Sequence, residues 1–436
     1  MSGVSGAERG PLSPRSALAL LCALLVVDFA DRQVVVAAFP YLRTEFGASA
    51  TQLGALVSVV SVVVALGALP VALLVDRWSR VRAIAVMATV WSGATAACAV
   101  APGYLALLAA RMGIGVGQAG FGPAASALLG ATFPAERRAT VLAVFQMGAP
   151  LGIVAGGVGG SLAAAQWGWR WAFLAVAVPG LVLALLALRL RDYRSVPEPS
   201  RGRAAVAGLL RARSGLGAMV GGALLLVVFS TLYTWLPTQL ERAYGLPPAR
   251  AGVLASTVVL AGAAGTVLAG AVADRLTRRS VRWRLLVPTA TATLTSATLG
   301  PAFVAVPPGP VQLVLILLGG TMATTAIGPA VAVVLDVVAP AVRATAVAIF
   351  ALVQNLVGLA VGPVLTGALT DRWGLTAALG LVACLGLVAG VAFGWGSLSY
   401  PRDRERGPVL LPRPRTRRPR AAGGRSAAPR GRRGGR

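Results

Sequence analysis

The chain has 436 residues, of which 56% are hydrophobic and 12% are charged, and its mean hydropathy is +0.77. Soluble domains carry about 25% charged residues, so this composition excludes an ordinary soluble protein. A membrane-spanning helix needs roughly 20 apolar residues, which leaves room for about a dozen spans. Absence of His and isolation of the three Cys exclude the usual zinc sites and a disulfide framework, and we expect no metal and no cofactor.

The first half of the chain contains six predicted spans after a short N-terminal segment, residues 1–15. Clusters of Pro, Gly and Arg separate these spans, which cover 16–42, 49–75, 83–101, 104–131, 139–165 and 169–190. The first span resembles a signal peptide because Arg9 and Arg15 precede it. It continues past Asp31 and is too long for a cleaved apolar region, so we predict that it is retained. Residues 16–190 therefore form a six-helix half.

The second half repeats this organisation after a basic central loop, residues 191–214. Its predicted spans cover 215–240, 249–274, 285–305, 310–337, 345–370 and 374–397. Residues 215–397 form the second six-helix half in this prediction, and residues 398–436 form a tail. The predicted fold class is an all-α membrane protein with twelve transmembrane helices.

The tail is rich in Arg, Gly and Pro and contributes strongly to the formal net charge of +26. Its low apolar content predicts disorder. Such a tail can rest on anionic lipids of the inner leaflet, at about 1 kcal/mol for each basic residue near the surface. An RNA-binding tail or a protein-docking tail is the alternative; we expect no nucleic-acid partner.

Arginines are distributed unevenly between the short connections. Connections after the even-numbered spans carry Arg clusters, for example Arg77, Arg80 and Arg82, whereas the connections after odd-numbered spans carry few. Basic residues favour the cytoplasmic side of a membrane. The pattern therefore predicts an even number of spans and two cytoplasmic termini, in the inner membrane of a bacterium.

Three short motifs occur twice, about 200 residues apart and in the same order. Because each pair lies at matching points of the two halves, the pattern predicts parallel six-helix repeats with a binding site between them. The pairs are Val75-Asp76-Arg77 with Ala273-Asp274-Arg275, Arg138-Ala139-Thr140 with Arg343-Ala344-Thr345, and Trp167-Gly168 with Trp373-Gly374.

The connection from Ala72 to Arg82 resembles the signature loop of the major facilitator superfamily, although Ala72 and Ser79 replace common glycines. This resemblance implies a transporter fold in which loop residues latch the cytoplasmic ends of the two halves together. A carboxylate beside a helix N-terminus gains about 0.3–1 kcal/mol, which suits such a latch. The alternative is that the loop sets topology alone. The latch candidates are Asp76, Arg77, Arg80, Asp274 and Arg275.

Four segments resemble the Spinster branch of that superfamily more specifically: Asp28–Arg32, Arg111–Gln118, Phe133–Arg138 and Thr234–Pro237. The resemblance implies transport of lysolipids, sphingoid lipids or other amphiphiles, usually coupled to protons, by a monomer. Spinster-like proteins commonly have Glu where this chain has Gln118, and Asn where it has Asp28. The titrating carboxylate is therefore predicted to have moved between helices.

Four charged residues lie well inside predicted spans: Asp28, Asp31, Arg32 and Arg111. Each costs about 2.5–3.5 kcal/mol near the bilayer centre, so such residues normally face a cavity and each other. Asp28 and Arg32 are four residues apart and share one helix face. At 1.5 Å per residue, Asp28 and Gln118 both lie roughly 21 Å below the outer ends of their helices. The pattern predicts proton coupling; a purely structural salt bridge is the alternative.

Further polar and aromatic residues are candidates for the substrate cavity: Gln118, Phe229, Tyr233, Trp235, Gln354 and Asn355. Packing between helices explains the amides about as well, and core or lipid contacts can explain the aromatic residues. Asp336, at the inner end of the tenth span, is interpreted as structural.

The sequence therefore predicts a secondary active transporter, proton-coupled, that moves an amphiphilic molecule. Efflux of a hydrophobic drug or metabolite uses the same chemistry and remains an alternative, as does a membrane sensor that kept the fold without transporting. An enzyme is not expected, because no span carries a nucleophile–base pair or a phosphate-binding loop.

Overall fold

The chain folds into a bundle of twelve long helices, seen in a computed structural model that describes residues 12–190, 192 and 209–406. Within these residues, ten helices are long and apolar enough to cross a membrane. Helices Pro14–Ala37 and Trp283–Val304 lie in the same bundle and complete the twelve. The protein is thus a multi-pass membrane protein, as predicted.

The first half contains helices α1 to α6. A short helix, Phe39–Phe46, follows α1, and the α4 and α5 helices are each interrupted once. Their bounds are Pro14–Ala37 for α1, Ala50–Arg77 for α2, Arg80–Ala99 for α3, Tyr104–Gln118 and Phe121–Thr132 for α4, Ala135–Gln146 and Gly148–Trp167 for α5, and Trp169–Ala187 for α6.

The second half contains helices α7 to α12. Six residues of α11, Gln354–Leu359, form a wider π-helical turn. The bounds are Arg213–Tyr244 for α7, Pro248–Thr277 for α8, Trp283–Val304 for α9, Pro310–Ala323 and Ile327–Asp336 for α10, Arg343–Val353 to Ala360–Trp373 for α11, and Leu375–Ala383 and Leu385–Arg406 for α12.

Proline explains four of the helix interruptions. A Pro has no N–H to donate to the carbonyl four residues earlier, and in α4, α5, α10 and α11 that carbonyl lies at or directly beside the interruption. The residues are Pro123, Pro150, Pro329 and Pro363. Irregular backbone inside a membrane is tolerated where it is buried in protein or lines a cavity.

The two halves repeat each other in packing and in backbone conformation. Helix α1 packs on α5 as α7 packs on α11, and α3 packs on α6 as α9 packs on α12. Gly47 and Gly245 follow corresponding helices with φ of 62° and 63°, and Gly168 and Gly374 match at 93° and 82°. Glycine adopts this left-handed backbone without steric cost. The turns therefore match as closely as the motifs do.

The halves meet most tightly at the face opposite the chain termini. There the beginning of α2 contacts the end of α11, and the end of α5 contacts the beginning of α8. One buried apolar cluster runs from the first half into the second at this face and includes Leu232, Trp235 and Leu240. A separate cluster, around Val337 and Phe350, belongs to the second half alone. The bundle is thus closed at the face opposite the termini.

The end of α12 corrects the predicted start of the tail. The helix continues to Arg406, beyond the predicted boundary at residue 397. Tyr400 is fully buried and donates a 2.6 Å hydrogen bond to Asp336 Oδ2, which also accepts a 2.8 Å bond from Arg284. Asp403 Oδ2 accepts a 2.9 Å bond from Ser214 N. These contacts hold the segment against the bundle and agree with a structural role for Asp336.

The remaining predicted segments lie mostly outside the described residues. These are residues 1–11 of the N-terminal segment, residues 191 and 193–208 of the central loop, and residues 407–436 of the tail.

Candidate functional site

The most enclosed charges in the first half are Asp31 on α1 and Arg111 on α4, whose side chains are 0% exposed. Arg111 Nη1 lies 3.5 Å from Asp31 Oδ2 and donates to the Asp31 backbone carbonyl at 3.2 Å. Arg111 Nε donates to the carbonyl of Leu56 at 3.1 Å, and Thr95 Oγ1 donates to Asp31 Oδ1 at 2.7 Å. Both oxygens of the Asp31 carboxylate are therefore partnered. The hydrogen bonds and the ion pair of Asp31 and Arg111 therefore connect α1, α2, α3 and α4.

The second charged pair is held more loosely. Arg32 Nε lies 3.8 Å from Asp28 Oδ1, and both atoms are buried without a hydrogen bond. The Arg32 guanidinium lies 5.3 Å from the ring centre of Phe29. Gln118 Nε2 donates to the backbone carbonyl of Asp28 at 3.3 Å, while Gln118 Oε1 has no partner. The equal depth predicted for Asp28 and Gln118 thus corresponds to a direct contact.

One of the predicted aromatic residues of the second half, Tyr233, lies near these charges. The rings of Phe229 and Tyr233 on α7 lie 5.5 Å apart, and Tyr233 lies within electrostatic range of Arg32. Gln33 on α1 donates from Nε2 to the Tyr233 carbonyl at 3.2 Å, a contact between the halves. The structure therefore brings Tyr233 and Arg32 together. Gln33 was not predicted, since a single amide two residues after a charge gives no distinct signal.

The other candidates from the second half are placed differently. Trp235 is 1% exposed, its Nε1 donates to the Pro363 carbonyl at 3.0 Å, and its ring lies 5.4 Å from that of Phe39. It packs at the closed contact between the halves. Gln354 is buried with an unpartnered Oε1, and Asn355 donates to the carbonyl one helical turn earlier. Both amides lie on the π-helical turn of α11.

The latch candidates lie on the face of the bundle that carries the chain termini. Asp76 and Arg77 belong to the last turn of α2, and their side chains lie outside the described part of the structure. Arg80 begins α3. Asp274 is exposed, with Oδ1 3.6 Å from Arg284 Nη2 of the same half, and Arg275 is exposed beside it. The arrangement does not place Asp274 against the first half.

At the opposite face, a carboxylate that the sequence did not single out bridges the two halves. Asp371, near the end of α11, accepts bonds of 2.9 Å from Ala50 N and 2.8 Å from Thr51 N, and a 2.6 Å bond from Thr51 Oγ1. These donors form the first turn of α2, whose N–H groups have no partner within the helix. Asp371 therefore caps a helix of the other half.

Removing this cap should open the contact between α2 and α11. A cap contributes about 0.5–2 kcal/mol, so Asp371→Ala should raise the open fraction roughly twofold to thirtyfold. Maleimide labelling of a single cysteine in place of the buried Ser58 on α2 measures this fraction once the three native cysteines are replaced. Arg372→Ala, beside Asp371 and exposed, is the matched control. Equal labelling in both variants would show that Asp371 does not hold the contact.

Glu45, on the short helix after α1, makes a second set of side-chain hydrogen bonds on this face, within the first half. Its carboxylate accepts 2.7 Å bonds from Arg170 Nη2 and Trp169 Nε1. Hydrogen bonds from Arg170 and then from Trp169 hold the pKa of Glu45 below its usual value. Glu45 therefore stays ionised at neutral pH, which makes it a suitable control for carboxylates that titrate.

The amino-acid sequence is similar to a known protein family and to several of its members. The sequence model of the Major Facilitator Superfamily matches residues 21–358 and 239–431. A protein of Mycolicibacterium smegmatis named an MFS-type efflux pump is 31% identical over 374 residues, which cover 84% of this chain and 86% of that protein. The human protein spinster homolog 1 is 28% identical over 400 residues, covering 83% of this chain and 74% of its own length.

A solved structure shares the fold. It is a bacterial homologue of the human lysosomal transporter Spinster, in an inward-facing and unoccupied conformation. The two structures superpose with a TM-score of 0.80 at 20% sequence identity, over 92% of this chain and 99% of the other. The all-helical architecture is thus shared with this bacterial homologue of a transporter.

Proposed function

Because this chain belongs to the Major Facilitator Superfamily and is a membrane transporter, we propose that it is a proton-coupled secondary active transporter for an amphiphilic organic molecule. Alternating access between the two halves moves the substrate across the membrane. Members of this superfamily carry small-molecule substrates, and the relatives named above are transporters and not enzymes.

The observation that carries the proposal is the contrast between the two carboxylates of α1. Asp31 has partners on both oxygens, whereas Asp28 Oδ1 is buried with no hydrogen bond and lies 3.8 Å from Arg32. A proton on Asp28 therefore breaks no hydrogen bond that its Oδ1 makes, and it removes the charge that holds Arg32. Arg32 is then released to bind an anionic group. We propose that Asp28 carries the coupled proton.

An amphiphile fits the groups around this pair. Arg32 supplies a cation, while Phe229 and Tyr233 supply aromatic surface at the edge of the other half. A molecule with an anionic head and an apolar chain matches this arrangement, because the chain can lie along aromatic and aliphatic side chains. Gln118, Gln354 and Asn355 offer further polar contacts.

The proposed orientation follows from the arginine distribution and puts both termini in the cytoplasm of a bacterium. The closed face is then the outer face, and the conformation corresponds to an inward-facing state. Asp76, Arg77, Arg80, Asp274 and Arg275 would act on the cytoplasmic face, where they latch the alternate, outward-facing state. The protein works as a monomer, with its basic tail on anionic lipids.

Efflux of a hydrophobic drug or metabolite is the second candidate function. The relative from Mycolicibacterium smegmatis, named an efflux pump, favours it. Efflux and lipid transport differ in substrate and share the proposed cycle, so only transport measurements separate them.

Transport into proteoliposomes tests the proposal. We expect a pH gradient to stimulate movement of a fluorescent lysolipid several-fold and a protonophore to abolish the stimulation. Empty liposomes and an Asp28→Asn variant are the controls. Movement of a hydrophobic dye alone would favour drug efflux. Movement of neither compound, in correctly inserted protein, would favour a sensor that kept the fold.

A further inference from the structure

A polar cleft lies between the two halves at the closed face, and its lining residues Gln33 and Tyr233 connect it to the region of the Asp28–Arg32 pair. Helices α1, α5, α7 and α8 enclose a volume of about 10 Å³, enough for a single water molecule. Its polar lining residues are Gln33, Ser161, Tyr233, Glu241 and Ser256. Glu241 is the one carboxylate among the residues that line this cleft, and the Asp28 mechanism does not use it.

Hydrogen-bond geometry leaves one buried acceptor of this cleft, Gln33 Oε1, without a donor. Gln33 Nε2 donates to the Tyr233 backbone carbonyl, and this fixes the amide orientation because a carbonyl only accepts. Gln33 is 5% exposed, and its Oε1 is left buried without a partner. The Ser256 hydroxyl donates to the carbonyl of Gly252 in its own helix at 2.7 Å. An ionised Glu241 would add further acceptors, whereas a protonated Glu241 supplies a donor.

Few charges surround Glu241. Arg242 follows it on α7 and is exposed, and Arg43 lies within electrostatic range of Arg242. Tyr41, on the short helix after α1, lies within range of Glu241. The residues that α1, α5 and α8 contribute to the cleft are all uncharged. An ionised Glu241 therefore has no cation from the other half inside the closed cleft.

We propose that Glu241 and Gln33 form a second proton-binding site, which takes its proton from water on the face opposite the termini and closes that face. When the halves separate there, the cleft is hydrated and Glu241 releases the proton to that same water. When they close, the Glu241 O–H donates to Gln33 Oε1, directly or through one water. The inference rests on the proposed proton coupling but concerns a different carboxylate and a different step.

Proton binding at Glu241 and closure of this face are linked, and the sign of the linkage follows from the proposal. The closed state binds one more proton than the open state, so acid on this face favours closure. The ratio of closed to open molecules should rise by up to about tenfold for each pH unit that the pH falls. Glu241→Gln replaces the neutral acid with an amide that can donate to Gln33 Oε1, so this variant should stay closed at every pH.

Spin-label distances test this directly in the full-length protein in nanodiscs. Labels at Gln166→Cys and Arg250→Cys, both exposed and close to the facing ends of α5 and α8, report closure after the native cysteines are replaced. We expect the short-distance fraction to rise as pH falls in the parent protein and to be constant in Glu241→Gln. Glu45→Gln should keep the parent response. Proton-driven transport, measured on the parent protein, separates this inference from the proposed function.

Three results would overturn the inference. They are an absent pH response in the parent protein, an unchanged response in Glu241→Gln, and a response to sodium at fixed pH in place of a response to pH. Glu241→Ala must also lose the response, and it replaces the Gln variant if that variant is not monodisperse. Absence of proton-driven transport in the parent protein, together with an intact distance response, would count against the proposed function and support this second site.

Discussion

Asp28→Asn is expected to lower pH-driven transport in proteoliposomes to the level of empty vesicles. The substitution keeps the size of the side chain and removes the carboxylate that lies 3.8 Å from Arg32. Substrate exchange without a pH gradient should persist, because alternating access does not need a net proton. Adding Gln118→Glu to this variant should restore part of the coupling. Gln118 already donates to the Asp28 carbonyl at 3.3 Å, so a protonated carboxyl group in its place can make the same bond.

The single variant Gln118→Glu is the control for the double variant. It tests whether a second carboxylate at this depth changes transport when Asp28 is present. If Asp28→Asn kept the full pH dependence, Asp31 would carry the proton or the transporter would be uncoupled. Measuring exchange and gradient-driven uptake on the same preparation distinguishes these cases from misfolding.

Arg111→Leu is expected to cause the largest loss of stability among single changes in the first half. It would leave the Asp31 carboxylate fully buried without its cation, at a cost of about 3–5 kcal/mol. The double variant Arg111→Leu with Asp31→Leu should recover most of that loss, because a buried ion pair replaced by apolar residues is often neutral in stability. The monodisperse fraction after heating in detergent measures both effects.

Arg32→Leu is the matched control for the Arg111 and Asp31 variants. Arg32 is partly exposed and makes no hydrogen bond to Asp28, so its loss should lower the thermal midpoint less than the loss of Arg111 does. A double variant no more stable than Arg111→Leu alone would show that the contacts to Leu56 and Thr95 matter more than the charge pair.

The sequence predicted the helices and their repetition because both depend on local patterns. Apolar length places each span, and the repeated motifs at Asp76 and Asp274 align the halves before any contact is known. Helix rise also placed Asp28 and Gln118 at one depth, and the structure joins them. Asp31 and Arg111 differ in estimated depth by roughly 6 Å, yet the long Arg side chain bridges that difference.

Contacts between the halves could not be predicted in this way. Asp371 reaches Ala50 over a separation of 321 residues, and Gln33 reaches Tyr233 over 200. Neither contact follows from periodicity, since each depends on which face of the bundle is closed. For the same reason the sequence left Trp235 as a cavity candidate, although its ring lies in the packed contact of the closed state.

The cap made by Asp371 has no counterpart across the pseudo-twofold axis. The two edges of the closed face are therefore held together by different kinds of contact. The position equivalent to Asp371 at the end of α5 is Ala165, which has no group to bind the beginning of α8. The edge formed by α2 and α11 is therefore tied by hydrogen bonds, while the edge formed by α5 and α8 is held by close packing of small residues such as Gly157 and Gly252. We expect the tied edge to act as a hinge and the other edge to part first. A substrate with an apolar chain could then pass sideways between α5 and α8, in either direction, between the cavity and the lipid leaflet at that face.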